Sequence, residues 1–128
     1  VNNVVAYTGT HDNHTINGWY KSDDISEEGR IFLDQYSNRR PDETVSHAML
    51  RLLFSSVAFM AIATMQDLLE LDGSARMNLP NTVGGNWVWR MTADQLTPQI
   101  EANLLELTTI YRRENKALQL SESEKTTK

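Results

Sequence analysis

Val4-Val5-Ala6-Tyr7-Thr8-Gly9-Thr10-His11-Asp12-Asn13 is the stretch that decides the fold, because it joins an apolar run to three polar side chains in consecutive positions. Valine, tyrosine and threonine favour an extended backbone, and glycine lets another chain or a ligand approach closely. The stretch therefore predicts a β-strand that carries an imidazole, a carboxylate and an amide to its carboxyl end. Such groups can bind a polyol, and in parallel α/β sheets and barrels the chemistry lies at that end of the strands.

A second informative stretch lies later in the chain. It reads Ala75-Arg76-Met77-Asn78-Leu79-Pro80-Asn81-Thr82-Val83-Gly84-Gly85-Asn86-Trp87-Val88-Trp89-Arg90. Its proline, glycines and asparagines predict a loop from Met77 to Arg90. A loop of this length in a compact domain is usually functional or disordered. Trp87 and Trp89 favour an ordered loop, since large rings left in water would form an apolar hazard.

Together, the two stretches resemble the signature motifs of 4-alpha-glucanotransferases, also called amylomaltases or disproportionating enzymes (glycoside hydrolase family 77). The resemblance runs from about Val4 to Tyr111, which is most of this chain but only the C-terminal part of a family member. It implies a helix-rich α/β fold in which this chain supplies the last two β/α units of a (β/α)8 barrel of the TIM type. Residues 1–115 would belong to that catalytic barrel, and residues 116–128 would form a polar tail.

The resemblance also assigns roles to residues of the candidate site. Asp12 matches the carboxylate that holds hydroxyls of the reacting glucose and stabilises its oxocarbenium-like transition state, so it is the predicted catalytic residue. His11 matches the imidazole that binds the same sugar, and Asn13, Asn78 and Pro80 are predicted to bind substrate. A retaining mechanism also needs a nucleophile and an acid/base roughly 5 Å apart. The resemblance places both upstream of this chain, which alone is therefore expected to be inactive.

Some positions depart from the family pattern. Asn81 stands where glycine is usual, and asparagine tolerates a positive φ better than most residues do. His14 stands where aspartate is usual and is expected to be exposed at the start of a helix. Arg76 and Arg90 are expected to anchor the loop by ion pairs.

Other interpretations of the same residues remain. Without the family context, Asp12 would be a turn or N-cap carboxylate. His11, Asp12 and His14 contain metal-ligand groups, but neighbouring strand residues point to opposite faces, and the remaining histidine, His47, lies in a predicted helix. No metal and no cofactor are therefore expected. A hypothesis of a different class is a non-catalytic helical interaction or sugar-binding module.

Composition restricts the partners of the chain. It has 128 residues, a net charge of -5 and no cysteine, which excludes disulfides and thiolate metal sites. Without a basic cluster, neither nucleic acid nor an anionic membrane surface is an expected partner. No apolar run approaches the roughly 20 residues that span a bilayer. The expected partner is a maltooligosaccharide or another α-1,4-glucan, and the expected location is the cytoplasm.

The start of the chain and its incomplete barrel lead to a further expectation. It begins at Val1 with neither a methionine nor the features of a signal peptide, which suggests a piece of a longer protein. A quarter of a barrel cannot close its sheet. An isolated segment would therefore be expected to self-associate or rearrange through its unpaired strand edges.

Helix signals are clear in the middle and near the end of the chain. Apolar spacing predicts a short helix over 15–21, and Ser26 is a predicted N-cap for a helix that reaches about Tyr36. Thr92-Ala93-Asp94-Gln95 has the spacing of a capping box, and Thr97-Pro98 predicts the start of the last helix. Buried positions are predicted for Ile31, Leu33 and Tyr36 in the first of the capped helices and for Ile100, Leu104, Leu107 and Tyr111 in the last.

A longer helix is predicted between these two. Pro41 fits its first turn, and apolar residues recur at three- and four-residue intervals from Val45 to Met60. Residues 61–66 fit either a buried strand or a continuation of this helix, because periodicity does not separate the two. The family resemblance favours a strand, with Gln66 and Asp67 at its catalytic-side end.

Overall fold

A computed structural model describes residues 3–114 of the chain as a helix-rich α/β arrangement. The helices outnumber the strands, as the sequence predicts, and two single turns of 3-10 helix lie at Gly73–Ala75 and Ala93–Gln95. The predicted tail, residues 116–128, lies outside the described residues. In chain order the elements are β1 (Val5–Tyr7), α1 (Ile16–Lys21), α2 (Glu27–Ser37), α3 (Val45–Ser55), β2 (Met60–Ile62), α4 (Met65–Leu68) and α5 (Pro98–Ile110).

The two strands form a parallel pair. Ala6 of β1 lies opposite Ala61 of β2. Parallel neighbours need a crossover connection, and α1, α2 and α3 provide it. Residue Thr64, just after β2, donates its backbone N–H to the hydroxyl of Thr8, just after β1, at 3.3 Å. The carboxyl ends of both strands therefore meet at one edge, and the alternative of a continuous helix over 61–66 is wrong.

Capping residues begin α1, α2 and α5 at or next to the predicted starts. The hydroxyls of Thr15, Ser26 and Thr97 each accept a backbone N–H from the first turn of α1, α2 and α5. Pro98 occupies the first turn of α5, where its missing N–H costs nothing. The predicted capping box is also present, since Gln95 accepts the backbone N–H of Thr92 at 2.9 Å.

The core forms between α3 and α5. Leu50, Leu53 and Phe54 of α3 cluster with Leu107 of α5, and each is at most 8% exposed. Leu104 and Tyr111 pack against this cluster from the predicted apolar face of α5. Ala6 and Ala61 of the two strands pack against it too, which places the sheet on the same core.

The prediction that α3 continues to Met60 is wrong. Its last helical residue is Ser55, whose hydroxyl donates to the carbonyl of Leu52 at 2.9 Å, and Ser56 is extended with a ψ of 162°. Serine hydroxyls compete with the helical ladder for carbonyls, which favours an end here. Arg113 then donates to three carbonyls at the end of the helix and beyond it, those of Phe54, Ser56 and Ala58.

Two smaller predictions about the helices are also wrong. Pro41 lies in a turn, and α3 is instead capped by Thr44, whose hydroxyl accepts the N–H of His47 at 3.1 Å. Ile31 and Tyr36 of α2 are 50% and 69% exposed. The face of α2 that turns inward carries Arg30, Asp34 and Ser37. The side chains of Arg30 and Asp34 bond to neighbouring segments, and Ser37 is buried.

Two charged clusters, one on α2 and one on α3, fix these helices to the segments beside them, and we call the two clusters the α2–α3 frame. In the first, Arg39 donates to both oxygens of Asp34 at 2.7 Å, and the Tyr20 hydroxyl donates to the same carboxylate at 2.8 Å. The Arg39 guanidinium lowers the pKa of Asp34. Burial, with the carboxylate beside it, raises the pKa of Tyr20.

The second cluster of the frame is centred on Glu43, whose side chain is only 6% exposed. Arg51 donates to both carboxylate oxygens at 3.0 Å, and His47 Nδ1 lies 2.8 Å from one of them. The Arg51 guanidinium is the main cause that lowers the pKa of Glu43 to about 2, against the opposing effect of burial. This carboxylate is therefore ionised near neutral pH and serves to fix α3 against the segment that precedes it.

Candidate functional site

The turn after β1 carries the predicted site residues. Asn13 closes it, because its side-chain oxygen accepts the backbone N–H of Thr10 at 2.7 Å and the Thr10 hydroxyl at 3.0 Å. Asparagine often shapes a turn in this way. The turn leaves the neighbouring side chains of His11 and Asp12 about half exposed, at 55% and 48%.

Asp12 is the point at which the two sequence stretches meet. Asn78 Nδ2 donates to Asp12 Oδ1 at 2.7 Å, across 66 residues of sequence. His11 Nε2 lies 3.4 Å from the same oxygen. Among the residues that the structure describes, Asp12 Oδ2 accepts no hydrogen bond. An exposed carboxylate oxygen of this kind can accept hydroxyl groups of a ligand.

Backbone contacts join the turn to the loop. Asn78 donates its backbone N–H to the carbonyl of His11 at 3.0 Å. Arg76 donates from Nη2 to the carbonyl of Asp12 at 2.7 Å and from Nε to the carbonyl of Asn78 at 2.8 Å. The expected anchoring role of Arg76 is therefore met by carbonyls of the site rather than by an ion pair. Arg90 likewise donates to two carbonyls of its own loop, those of Trp87 and Trp89.

The loop itself is irregular between the two 3-10 turns, as predicted. Asn81 has a φ of 63°, so the residue that replaces the usual glycine does adopt the left-handed conformation. Gly84 and Gly85 also have positive φ values, of 85° and 73°. Asn86 braces the loop because its side-chain oxygen accepts the N–H of Leu79 at 2.9 Å.

The five predicted site residues are not placed equally. His11, Asp12 and Asn78 come together. Asn13 adjoins them, but its oxygen is used by the turn. Pro80 is exposed two residues beyond Asn78, at the start of the turn that contains Asn81, and takes no part in the hydrogen bonds that join the others.

Gln66 and Asp67 are buried behind the site and bond to the segments that carry it. Both are buried in α4, directly after β2 and close to the predicted place. Asp67 accepts the backbone N–H of Ile16 at 2.8 Å, three residues after Asn13. Gln66 donates to the carbonyl of Ala75 at 3.3 Å, next to Arg76. These two side chains therefore tie both halves of the site to one short helix.

One close approach in this support depends on a glycine. A Cβ on Gly18 of α1 would lie 2.8 Å from the backbone of Gly73, so a larger residue there would push the two segments apart. Glycine is a weak helix former, and its place within α1 thus has a packing reason.

Two cavities open beside the site. One of about 630 Å³ is lined by Asp12, Asn13 and Arg76, with Trp19 and Tyr7 among its apolar walls. A smaller one of about 190 Å³ is lined by His11, Gln66 and Met77. Their walls combine apolar surface with a few polar groups, as ligand sites commonly do.

His14 lines both cavities and differs from its prediction. Its side chain is 28% exposed, so the expected exposed position is wrong. It is partly covered because Gly73 packs close by, and its Nδ1 is buried without a hydrogen-bond partner among the described residues.

Over residues 3–114, no three His, Asp or Glu side chains are grouped so that they could hold a metal ion. In the same range, no helix combines the length and the apolar character that crossing a membrane requires.

The fold and the site define a class: a helix-rich α/β protein with a half-exposed polar site at the carboxyl end of parallel strands. Residues 1–97 match the sequence profile of the 4-alpha-glucanotransferase family, glycoside hydrolase family 77. The chain belongs to this family.

Individual relatives agree with the family match. The chain is 65% identical over 116 residues to a 4-alpha-glucanotransferase of Streptococcus pneumoniae serotype 4, a match that covers 91% of this chain and 23% of that protein. It is 41% identical over 111 residues to one from Synechocystis, covering 87% and 22%. The chain thus spans about a quarter of the length of the relatives that it matches.

A solved structure gives the same result for the fold. The amylomaltase from Streptococcus agalactiae, in complex with acarbose, superposes with a TM-score of 0.86 and 45% sequence identity. The superposition covers 90% of this chain and 23% of the amylomaltase. The fold of this chain is therefore that of one part of an amylomaltase.

Proposed function

We propose that this chain supplies the Asp12 side of the active site of a 4-alpha-glucanotransferase. The enzyme would move α-1,4-glucan segments between maltooligosaccharides by a retaining double displacement. The observation that carries the proposal is the bond between Asn78 and Asp12, because it unites both family motifs at one half-exposed carboxylate. The acarbose bound to the Streptococcus agalactiae amylomaltase supports a sugar ligand.

In this proposal Asp12 is the catalytic residue, and its role is electrostatic. The bond from Asn78 fixes Oδ1, with His11 nearby, while Oδ2 is available to the hydroxyls of the reacting glucose. A carboxylate fixed in this way stabilises positive charge that develops on the sugar ring, and it does not need to reorient during the reaction. The nucleophile and the acid/base would come from strands outside this chain.

The remaining predicted residues would contact the same substrate. His11 and Asn78 hold hydroxyls next to Asp12, and Asn13 and Pro80 line the path of the glucan on either side. The cavity of about 630 Å³ beside Asp12 is large enough for more than one sugar ring, which is consistent with a chain-like substrate.

We further propose that β1 and β2 with their helices form the last two β/α units of a (β/α)8 barrel. The parallel pairing, the helical crossover and the site at the carboxyl ends of the strands support this architecture. Residues 1–115 would then be the barrel segment and residues 116–128 the tail. Location in the cytoplasm and self-association of an isolated segment stay predictions.

The experiment is a maltotriose disproportionation assay on the full-length protein, read as glucose release. We expect Asp12→Ala to lower kcat by several powers of ten, in line with the roughly 10²- to 10³-fold cost of losing a single electrostatic contact to the transition state and with the full charge lost here. Asp94→Asn, an exposed carboxylate in the second 3-10 turn, is the matched control and should keep the rate. An undiminished rate in Asp12→Ala would sink the proposal.

A further inference from the structure

Trp87 has a strained backbone conformation next to the candidate site. Its φ is 62°, in the left-handed region that bulky side chains rarely adopt. Such a conformation persists only where the surrounding structure imposes it, and it is concentrated at functional sites.

The loop holds the conformation in place. The backbone N–H of Trp87 donates to the carbonyl of Met77 at 2.7 Å. Asn86, just before it, is bonded through its side chain to Leu79 at 2.9 Å and to the Thr82 hydroxyl at 3.0 Å. These bonds fix the backbone on either side of Trp87 and so fix the direction of its Cα–Cβ bond.

Packing among the described residues does not explain this conformation, because they leave half of the Trp87 surface exposed. Its described aromatic partner is His11, with ring centroids 5.0 Å apart and a tilt of 39° between the rings. Aromatic rings attract each other in tilted arrangements of this kind. The side chain of the strained residue Trp87 therefore contacts His11, a residue of the site.

We propose that Trp87 is a positioning residue that holds the His11 imidazole beside the Asp12 carboxylate. This inference rests on the proposed function. The His11 side chain is 55% exposed, and its contact with Asp12 Oδ1, at 3.4 Å, is too long to fix the ring by itself. The indole closes one side of the imidazole and so limits the rotamers from which Nε2 can face the carboxylate and a bound sugar.

The experiment uses three variants of the full-length protein in the maltotriose assay. Trp87→Phe keeps an aromatic ring on the same backbone, whereas Trp87→Gly removes the ring and relaxes the left-handed strain. We expect Trp87→Gly to lower kcat by about 10- to 100-fold, as misplacement of a reacting group does, with KM changed less than about threefold. Trp87→Phe should keep at least about a third of kcat, because an aromatic ring that packs against His11 is still present. Trp87→Asn, which also suits a positive φ, should reproduce the glycine result if the glycine variant folds poorly.

A double-mutant cycle shows whether Trp87 acts through His11. In a His11→Ala background, Trp87→Gly should lower kcat by less than about twofold further, since coupled residues are not additive. Full multiplication of the two losses would overturn the inference, as would a Trp87→Gly enzyme with an unchanged kcat.

Two controls separate the possible failures. Trp89→Phe, two residues away in the same loop, should leave kcat and KM unchanged. A wild-type protein that releases no glucose from maltotriose would refute the proposed function itself. An active wild type with an insensitive Trp87 would refute only the role of Trp87.

Discussion

The candidate site and the α2–α3 frame use the same kinds of side chain in opposite ways. In the frame, Asp34 and Glu43 have both carboxylate oxygens bonded by arginine, and Glu43 is almost fully buried. In the site, Asp12 is about half exposed, and its contacts to described residues all fall on Oδ1. A carboxylate with all its acceptor positions occupied stabilises structure, whereas one with an open oxygen can bind something else.

The arginines show the same contrast. Arg51 neutralises a buried carboxylate of the frame. Arg76 donates to backbone carbonyls of Asp12 and Asn78 and leaves the carboxylate of Asp12 without a guanidinium partner among its described contacts. A guanidinium paired with the site carboxylate would compete with a sugar for its oxygens. The way each arginine is used therefore separates the scaffold from the site.

Breaking the frame should have the largest effect on stability. Arg51→Met leaves Glu43 buried without its main partner, and losing one member of such a pair costs roughly 3–5 kcal/mol. Native-state hydrogen exchange of α3 amides in the full-length protein measures this local free energy. The exposed Arg40→Met is the matched control. A change below about 1 kcal/mol in Arg51→Met would mean that the pair does not hold α3.

The stability that the Glu43–Arg51 pair gives to α3 should decrease at acidic pH. The pKa of Glu43 is lowered from 4.5 to about 2 in the folded protein, so its contribution to stability is present above pH 4.5 and is lost as the pH falls toward 2. Glu43→Gln has no such proton to take up, and we expect its hydrogen-exchange stability in α3 to fall less steeply over this range. Equal slopes for wild type and variant would contradict the assignment.

A change to the site should affect activity more than stability. Asn78→Ala removes the donor to Asp12 Oδ1. We expect kcat for maltotriose disproportionation to fall by about 100-fold, because a displaced Asp12 carboxylate would no longer face the reacting sugar correctly. Gln35→Ala, an exposed amide on α2, serves as the control. A large loss of α3 protection in Asn78→Ala would instead place this residue with the frame.

The smallest effect is predicted for Arg76→Lys. Lysine keeps the charge but cannot reach two carbonyls with a planar fork, so the turn and the loop would be joined less rigidly. We expect about a tenfold loss of kcat/KM, because a small shift of Asp12 relative to Asn78 would misplace the carboxylate. An unchanged kcat/KM would show that the backbone bond from Asn78 to His11 is sufficient.

Local signals in the sequence predicted much of this structure. The hydroxyl caps at Ser26 and Thr97 depend only on neighbouring residues, so the local sequence reveals them. The resemblance singled out Asn81 by the glycine usual there, and Asn81 is left-handed. The resemblance named Asp12 and Asn78, and the structure shows them in contact. That contact spans 66 residues, and spacing alone contains no information about it.

The wrong predictions share a physical cause. Apolar periodicity extended α3 to Met60, although the serines at its end and the three bonds from Arg113 favour a stop. The same rule predicted that Ile31 and Tyr36 are buried, but both are exposed. The side of α2 that faces inward carries the charged residues of the frame. Hydrogen bonds of charged and polar side chains decided these cases, and a rule that counts only the spacing of apolar residues does not register them.

The most direct test is a crystal structure of the full-length protein with acarbose. We predict that one sugar ring lies with its hydroxyls within about 3.2 Å of Asp12 Oδ2 and of the His11 imidazole, with Asn78 still bonded to Oδ1. Acarbose bound elsewhere, with no hydroxyl within about 3.5 Å of the Asp12 carboxylate, would contradict the account.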